Sequence, residues 1–255
     1  MTSKRLEAFA VEGIPRVKPG DDLGGILIAA LGREPQTLEN GDVIVIAQKI
    51  VSKAENRFVQ MSDIEPSPRA IEIATKINKD PAMVELVLRE SKAIIATGNN
   101  VLIVEDKRGF ILANAGIDRS NIENSDQFAL LLPEDANASA EKLRQQLNQH
   151  FNLKLGVVIT DSVGRPFRLG TVGMAIGSAG VEALQNLRGN RDMYGRELMV
   201  AEHAVGDAIA ATAELLMGEG AEALPVVVLR GLAQGESRQT AAAILRPEHE
   251  DLFRK

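Results

Sequence analysis

At 255 residues, 45% of them apolar and 25% charged, the chain can bury a sizeable core as one large domain or two modest subdomains. A formal charge of −6 and only 3% aromatic residues argue against nucleic acid as a partner, since that grip needs Lys and Arg for phosphates and rings for bases. There is no cysteine, which removes disulfides, thiolate zinc sites, iron–sulfur clusters and cysteine nucleophiles together.

Only three histidines are present, His150, His203 and His249, far apart in sequence. A metal would therefore be held mainly by carboxylates, hydroxyls and ligand phosphates, which suits hard cations such as Mg²⁺ or Mn²⁺. The N-terminal residues 1–7 are polar, without the apolar run of a signal peptide. No stretch approaches the roughly 18 apolar residues of a membrane span, so a cytoplasmic protein with no membrane partner is expected.

Residues 6–11 read as a first strand, followed by turn signals at 12–15 and 18–21. Asp21 or Asp22 can cap a helix carrying Leu23, Ile26, Leu27 and Ala30 at helical spacing. The turn Asn40-Gly41 leads into a strand over 42–47, and behind it Lys49 and Lys53 lie four apart, on one face of a helical turn. That face is either solvated or turned toward an anion. Ser67-Pro68 and Asp80-Pro81 each pair an N-cap with proline at the first helical position, starting two helices. Strands at 93–96, 101–104 and 110–113 form an antiparallel meander that runs into a polar loop, 114–121. In that loop an Asp precedes an Asn by three residues, a pattern that serves an Asx-turn and cap as well as a cation site.

A helix from Ser139 to His150 brings the chain to the most informative stretch, 156–173. The β-branched run 157–159 reads as a buried strand leaving the core at Thr160-Asp161-Ser162. Gly164, Gly170 and Gly173 free the backbone, and Arg165 and Arg168 set two cations beside Asp161. Carboxylate, hydroxyl, bare backbone and guanidinium are the parts of a metal-bridged phosphate site, and equally of a tight loop with an ion pair. A strand is expected over 171–176, a helix over 181–187 and a charged loop over 188–197. Residues 206–217 form an amphipathic helix ending at Gly218-Glu219-Gly220, either a simple stop or a carboxylate brought close to a ligand. A strand over 224–229 and a short helix over 239–245 complete the chain. Strands and helices cluster rather than alternate, which favours α+β, with mixed, largely antiparallel sheets, flanking helices and two interwoven subdomains.

The P-loop, the dinucleotide fingerprint, the zincin helix and the nucleophile elbow are all absent, so a phosphate site would be assembled from dispersed loops. The dispersed blocks do occur in a recognisable order. They are Glu12-Gly-Ile-Pro15, Val51-Ser-Lys-Ala-Glu55, Asn114-Ala-Gly-Ile-Asp118-x-Ser-Asn121, Thr160-Asp-Ser-x-Gly-Arg165, Asp192-x-Tyr-Gly195 and Met217-Gly-Glu-Gly220. Together they resemble the coenzyme F420-0:L-glutamate ligase family, also called γ-glutamyl ligase, over most of the chain. Val163 stands where many relatives of that family carry an aromatic residue or Asn, and Gln48-Lys49 replaces a small hydroxyl pair seen in some.

The resemblance implies a homodimeric α+β enzyme of one ligase domain over 1–255, without the flavin-reductase-like C-terminal domain of some relatives. Its substrates would be F420-0, L-glutamate and GTP, with two Mg²⁺ or Mn²⁺ ions and K⁺ as cofactors. It implies metal binding by Asp118, Asp161, Ser162 and Glu219, and catalytic roles for Asp118, Asp161 and Arg165. The nucleotide would be surrounded by Ile14, Pro15, Arg16, Val17, Gln48, Lys49, Lys53, Asn121, Met217, Gly218, Glu219, Gly220, Ala221, Glu222, Ala223 and Leu224. Three other activities fit the same residues: a carboxylate–amine ligase with another acceptor, a non-catalytic nucleotide or deazaflavin binder, and a metal-dependent phosphohydrolase.

Overall fold

The structure is a computed structural model that describes residues 5–232 and 237–253, so residues 1–4 of the polar N-terminal segment lie outside the described residues. The strands are β1 (Glu7–Ala10), β2 (Val43–Ala47), β3 (Phe58–Gln60), β4 (Ser91–Gly98), β5 (Val101–Asp106), β6 (Ile111–Ala113), β7 (Phe128–Leu130), β8 (Gly156–Arg165), β9 (Arg168–Ala179), β10 (Leu184–Asn186), β11 (Glu202–Ala204) and β12 (Val226–Arg230). The helices are α1 (Leu23–Leu31), α2 (Gln48–Ala54), α3 (Pro68–Ile77), α4 (Pro81–Arg89), α5 (Ala136–Phe151) and α6 (Val205–Met217). The expected α+β class holds. The largest sheet has the order β1-β12-β2-β8-β9, and within it only β2 and β8 run parallel.

That sheet is buried on both faces, which is why its strands read as unbroken apolar runs and not as alternating ones. Ile44, Ile46, Val157, Ile159, Val226 and Val228 face a core shared with Leu27 of α1 and Leu143 and Leu147 of α5. The alternate residues Val43, Val45, Val158, Val227 and Leu229 face a second core with Ile209, Ala210 and Ala213 of α6. Two glycines of β9 let helices close in on both sides. A Cβ at Gly173 would stand 2.5 Å from the Ala210 carbonyl oxygen, and one at Gly177 would stand 2.3 Å from that of Ala136. Between them the register slips from Ile159↔Gly177 to Thr160↔Ala175, leaving Ile176 as a bulge.

A second unit lies between α2 and α5 in sequence. It holds the β4-β5-β6 meander, the β3–β7 pair and helices α3 and α4 around Val84, Val87, Leu102 and Val104. Both helix starts behave as the Ser-Pro and Asp-Pro pairs predict: Ser67 Oγ accepts from Ala70 N and Asp80 accepts from Ala82 N. Ser67 also donates through its hydroxyl and its amide to Glu85 of α4, at 2.6 and 3.1 Å, and Arg89 donates to the same carboxylate at 2.9 Å. These bonds hold the Glu85 carboxyl down at a pKa of about 2.

Three local readings need correction. Residues 181–187 are not helical: after the bend at Gly180, Leu184–Asn186 pairs with Glu202–Ala204, and the buried Val181 and Ala183 belong to the bent segment that leads into that strand. The strand through 157–159 leaves the core after Thr160, as expected, but it does not end there. It runs on to Arg165 because β9 pairs with it along that whole length. Over 239–245 only Ala241–Ile244 coils, as a single 3₁₀ turn.

At the end of the sheet remote from the C-termini of β2 and β8, Arg230 closes β12 onto β2. Its guanidinium donates to both oxygens of Asp42, at 2.9 and 2.7 Å, and Asp42 is 1% exposed. Replacing Arg230 by Ala strands a buried carboxylate, and such breaks cost about 3–5 kcal/mol. Arg230→Ala is expected to lower the urea midpoint by a corresponding margin while leaving the slope of the transition unchanged; chemical denaturation followed by circular dichroism checks it.

Candidate active site

The parallel strands β2 and β8 end side by side, with Ala47 opposite Thr160. The next residue of each chain segment is therefore brought to one point: Gln48, opening α2, and Asp161. Ser52 Oγ donates to Gln48 Oε1 at 2.9 Å, which turns the amide so that its NH₂ donates to Asp161 Oδ1 at 3.4 Å. Ser52 and Gln48 are both buried, so this orientation is fixed by packing as well as by the bond. Burial, and then the charge of Asp118, push the Asp161 carboxyl up to about 7.

Asp118 arrives from the second unit. Its backbone pairs with Leu130 through bonds of 3.0 and 2.9 Å, carrying the loop 118–121 away from β7 toward α2. Ser120 N donates to Asp118 Oδ1 at 2.7 Å, so the expected Asx-turn is present. The same carboxylate also serves the site, because Lys49 Nζ lies 2.7 Å from Oδ2. Burial works against the charged form, but Lys49 and the Ser120 amide more than offset it and hold Asp118 below the ordinary Asp range. Lys53 donates to the Asn121 carbonyl at 2.7 Å, and Asn121 Nδ2 reaches the Gly220 carbonyl at 3.3 Å. The basic face of α2 is therefore turned into the site and not into solvent. Burial and the neighbouring Lys49 hold Lys53 below its ordinary value.

The third wall is the end of α6. Gly218 terminates the helix with φ of +68°, donating its amide to the Glu214 carbonyl at 2.9 Å, and the chain turns back through Glu219. Thr171 Oγ1 donates to Glu219 Oε1 at 3.0 Å. Glu214, one turn earlier on the helix, accepts the amide of Gly173. The sequence reading missed Glu214. It sits among the apolar residues of α6, and nothing in its spacing separates it from a solvated helix residue. Burial, and then the adjacent Glu219, push Glu214 up, while Glu214, Ser162 and Thr171 hold Glu219 down against its own burial.

These walls enclose a cavity of about 560 Å³. It is lined by Ile14, Pro15, Arg16, Val17, Gln48, Lys49, Lys53, Asn121, Asp161, Ser162, Met217, Gly218, Glu219, Gly220, Ala221, Ala223 and Leu224, all expected from sequence, and by Glu214 and Thr160. Asp118 stands behind Lys49 at its edge. Two expected residues are directed elsewhere. Glu222 folds back to accept the Gly220 amide at 2.8 Å, and Arg165 donates to the Leu169 and Gly170 carbonyls at the β8–β9 turn, at 3.2 and 3.5 Å.

The donor set is all oxygen: Asp118, Asp161, Ser162, Glu219 and Glu214. Among the described residues no three Asp, Glu or His converge as one metal-ligand group, and the carboxylates stand instead as two pairs, Asp118 with Asp161 and Glu214 with Glu219. Their chemistry fits hard divalent ions. Asp161 and Glu214 are both raised by burial and by a second carboxylate beside each, and the hydroxyl oxygen of Thr160 on the cavity wall is sealed without a partner among the described residues.

Comparison with known proteins identifies the family. The family model described as F420-0:Gamma-glutamyl ligase matches residues 13–231. Proteins named coenzyme F420:L-glutamate ligase from Methanothermobacter thermautotrophicus and Methanopyrus kandleri are each 43% identical, with 98% of this chain and 99% of theirs aligned. The protein of that name from Archaeoglobus fulgidus is 44% identical over 252 residues, covering 98% of this chain and 97% of its own.

The close contact of Gly173 with α6 carries a test. A Cβ there meets backbone atoms of Ala210 and Ala211, which cannot swing aside, whereas one at Gly164 has nothing within 4 Å. Gly173→Ala should lower stability by about 1–3 kcal/mol, the usual scale of overpacking, and Gly164→Ala should not; paired thermal melts distinguish them.

Proposed function

The chain belongs to the F420-0:gamma-glutamyl ligase family, and on that premise we propose that it joins L-glutamate to F420-0 with GTP as the energy source. The observation that carries this reading is the single cavity uniting the carboxylates of Asp161 and Glu219 with the ammonium of Lys53 and the bare backbone of Gly218 and Gly220. A carboxylate is a poor electrophile toward an amine in water. In the proposed sequence a carboxylate oxygen of F420-0 attacks the γ-phosphorus of GTP and GDP leaves, giving an acyl phosphate. The α-amine of glutamate then attacks the acyl carbon, phosphate departs, and the amine loses its proton.

For such chemistry the protein's work is chiefly positioning and charge neutralisation. Lys53 sets a point charge on the nucleotide phosphates, with Lys49 beside it. Ile14 to Val17 and Met217 to Leu224 are proposed to surround the nucleotide. Asp118, Asp161, Ser162 and Glu219 would hold two Mg²⁺ or Mn²⁺ ions, which when bound offset charge on the transferred phosphoryl group; K⁺ is the further cofactor proposed. Arg165 is proposed to meet a substrate carboxylate or phosphate after leaving its carbonyl partners. Among the described residues no helix is long and apolar enough to cross a membrane, and a cytoplasmic location is proposed.

The homodimer is proposed to form through the β8–β9 tip, with the segment between β10 and β11 as a second exposed surface. Phe167 and Leu169 on the tip and Met193 and Tyr194 on that segment are 87–99% exposed, and Phe167 holds φ of +63°. Monomers seldom leave large apolar patches uncovered.

Incubating the protein with F420-0, L-glutamate, GTP and Mg²⁺ and weighing the products tests the reaction. A product heavier by one or more glutamyl residues supports it, whereas phosphate release without an amine-containing product points to a hydrolase. Asp161→Asn and Asp118→Asn should each cost ligation 100-fold or more in kcat, on the scale of about 3 kcal/mol for lost electrostatic stabilisation, with an unchanged circular dichroism spectrum. Phe167→Asp combined with Leu169→Asp should shift the species seen by light scattering from dimer to monomer.

A further inference from the structure

We propose that Glu214 is a positioning residue of the cation-holding wall, acting through Ser162 and Glu219. The inference rests on the reaction proposed above. Four observations place it. Ser162 of β8 stands opposite Gly173 of β9 in register, so the two are neighbours across the hairpin. Gly173 donates its amide to Glu214, which ties the last turns of α6 to that pair. The tie is rigid, because α6 lies so close to β9 that a Cβ at Gly173 would fall 2.5 Å from the Ala210 carbonyl oxygen. The remaining oxygen of Glu214, Oε1, is sealed from solvent without a hydrogen bond of good geometry.

Glu219, by contrast, sits between two glycines, and among the described residues its side chain has Thr171 as its one hydrogen-bonded partner of good geometry. A carboxylate on so free a segment needs a fixed neighbour to define where it meets a cation. Glu214 lines the same cavity wall, supplies negative charge there, and is itself anchored on a helix. Supporting groups of this kind typically change metal affinity 10–100-fold when removed.

The test is Mn²⁺ binding measured by electron paramagnetic resonance with GDP present, on the full chain and on Glu214→Gln and Glu214→Ala. Glutamine keeps an acceptor for the Gly173 amide and loses only the charge. Both variants should bind Mn²⁺ at least tenfold more weakly, with KM for F420-0 within about twofold of wild type. If Glu214→Ala fails to fold, Glu214→Gln alone carries the comparison. Wild-type Mn²⁺ affinity in the folded variants would overturn the inference and leave the proposed reaction standing. Absence of Mn²⁺ binding by the wild-type chain would overturn the metal reading, and this inference with it.

Discussion

The parallel pairing of β2 with β8 is the constraint on which the site depends. Every other pair in the five-stranded sheet is antiparallel, and only a parallel pair brings two carboxyl ends to the same edge. In open α/β sheets ligands collect outside the carboxyl ends of strands, and the same geometry operates here within a mostly antiparallel sheet. From Ala47 and Thr160 onward the two segments diverge, one into α2 with Gln48, Lys49 and Lys53, the other along β8 with Asp161 and Ser162. A parallel pair needs a crossover of about a dozen residues or more, and here the crossover runs through α2, the second unit and α5.

Much of this was legible in the sequence, for physical reasons that differ from element to element. The strands of the central sheet announced themselves through β-branched runs, since burial on both faces leaves no polar alternation. Helices α3 and α4 were marked by their Ser-Pro and Asp-Pro caps, which are local chemistry. The segment 181–187 misled because its apolar residues Val181, Ala183, Leu184 and Leu187 fit a helical period as well as an extended one, and its pairing partner, Glu202–Ala204, is set by a loop of no clear period. The length of β8 was underestimated because Ser162, Gly164 and the glycines of β9 look like loop residues. They are strand residues, and at Gly173 and Gly177 the neighbouring helices come too close for a side chain. At the site, the cavity collects nearly all the residues expected from the ordered blocks. Glu214 was not legible, because its significance comes from the amide of Gly173, and that contact exists only once α6 has packed on β9.

Electrostatically the site is a balance that the protein alone leaves unfinished. Lys49 answers Asp118, and the neighbouring loop carbonyl answers Lys53, but Asp161 and Glu214 remain raised by burial and by a second carboxylate beside each. A buried acidic group without a cation is a cost to folding. These two groups line the same cavity as the two ammonium groups of α2, so the cavity offers both signs of charge. That mixture suits a ligand which is itself anionic and associated with cations.

The loop that carries Asp118 belongs to a unit with its own core, yet it is fastened to the central sheet by Lys49, Lys53 and the Asn121–Gly220 bond. Each of those bonds lies at the rim of the cavity, not in either core. The inserted unit also buries Phe110 and Leu112 in the core beside the central sheet, so its opening away from the sheet is a sub-global event that breaks those contacts together with the rim bonds. A ligand that engages both sides binds the closed arrangement alone, so by mass action it deepens the well of that arrangement. Occupancy of the cavity and cooperativity between the two units are therefore the same thermodynamic quantity seen from two directions.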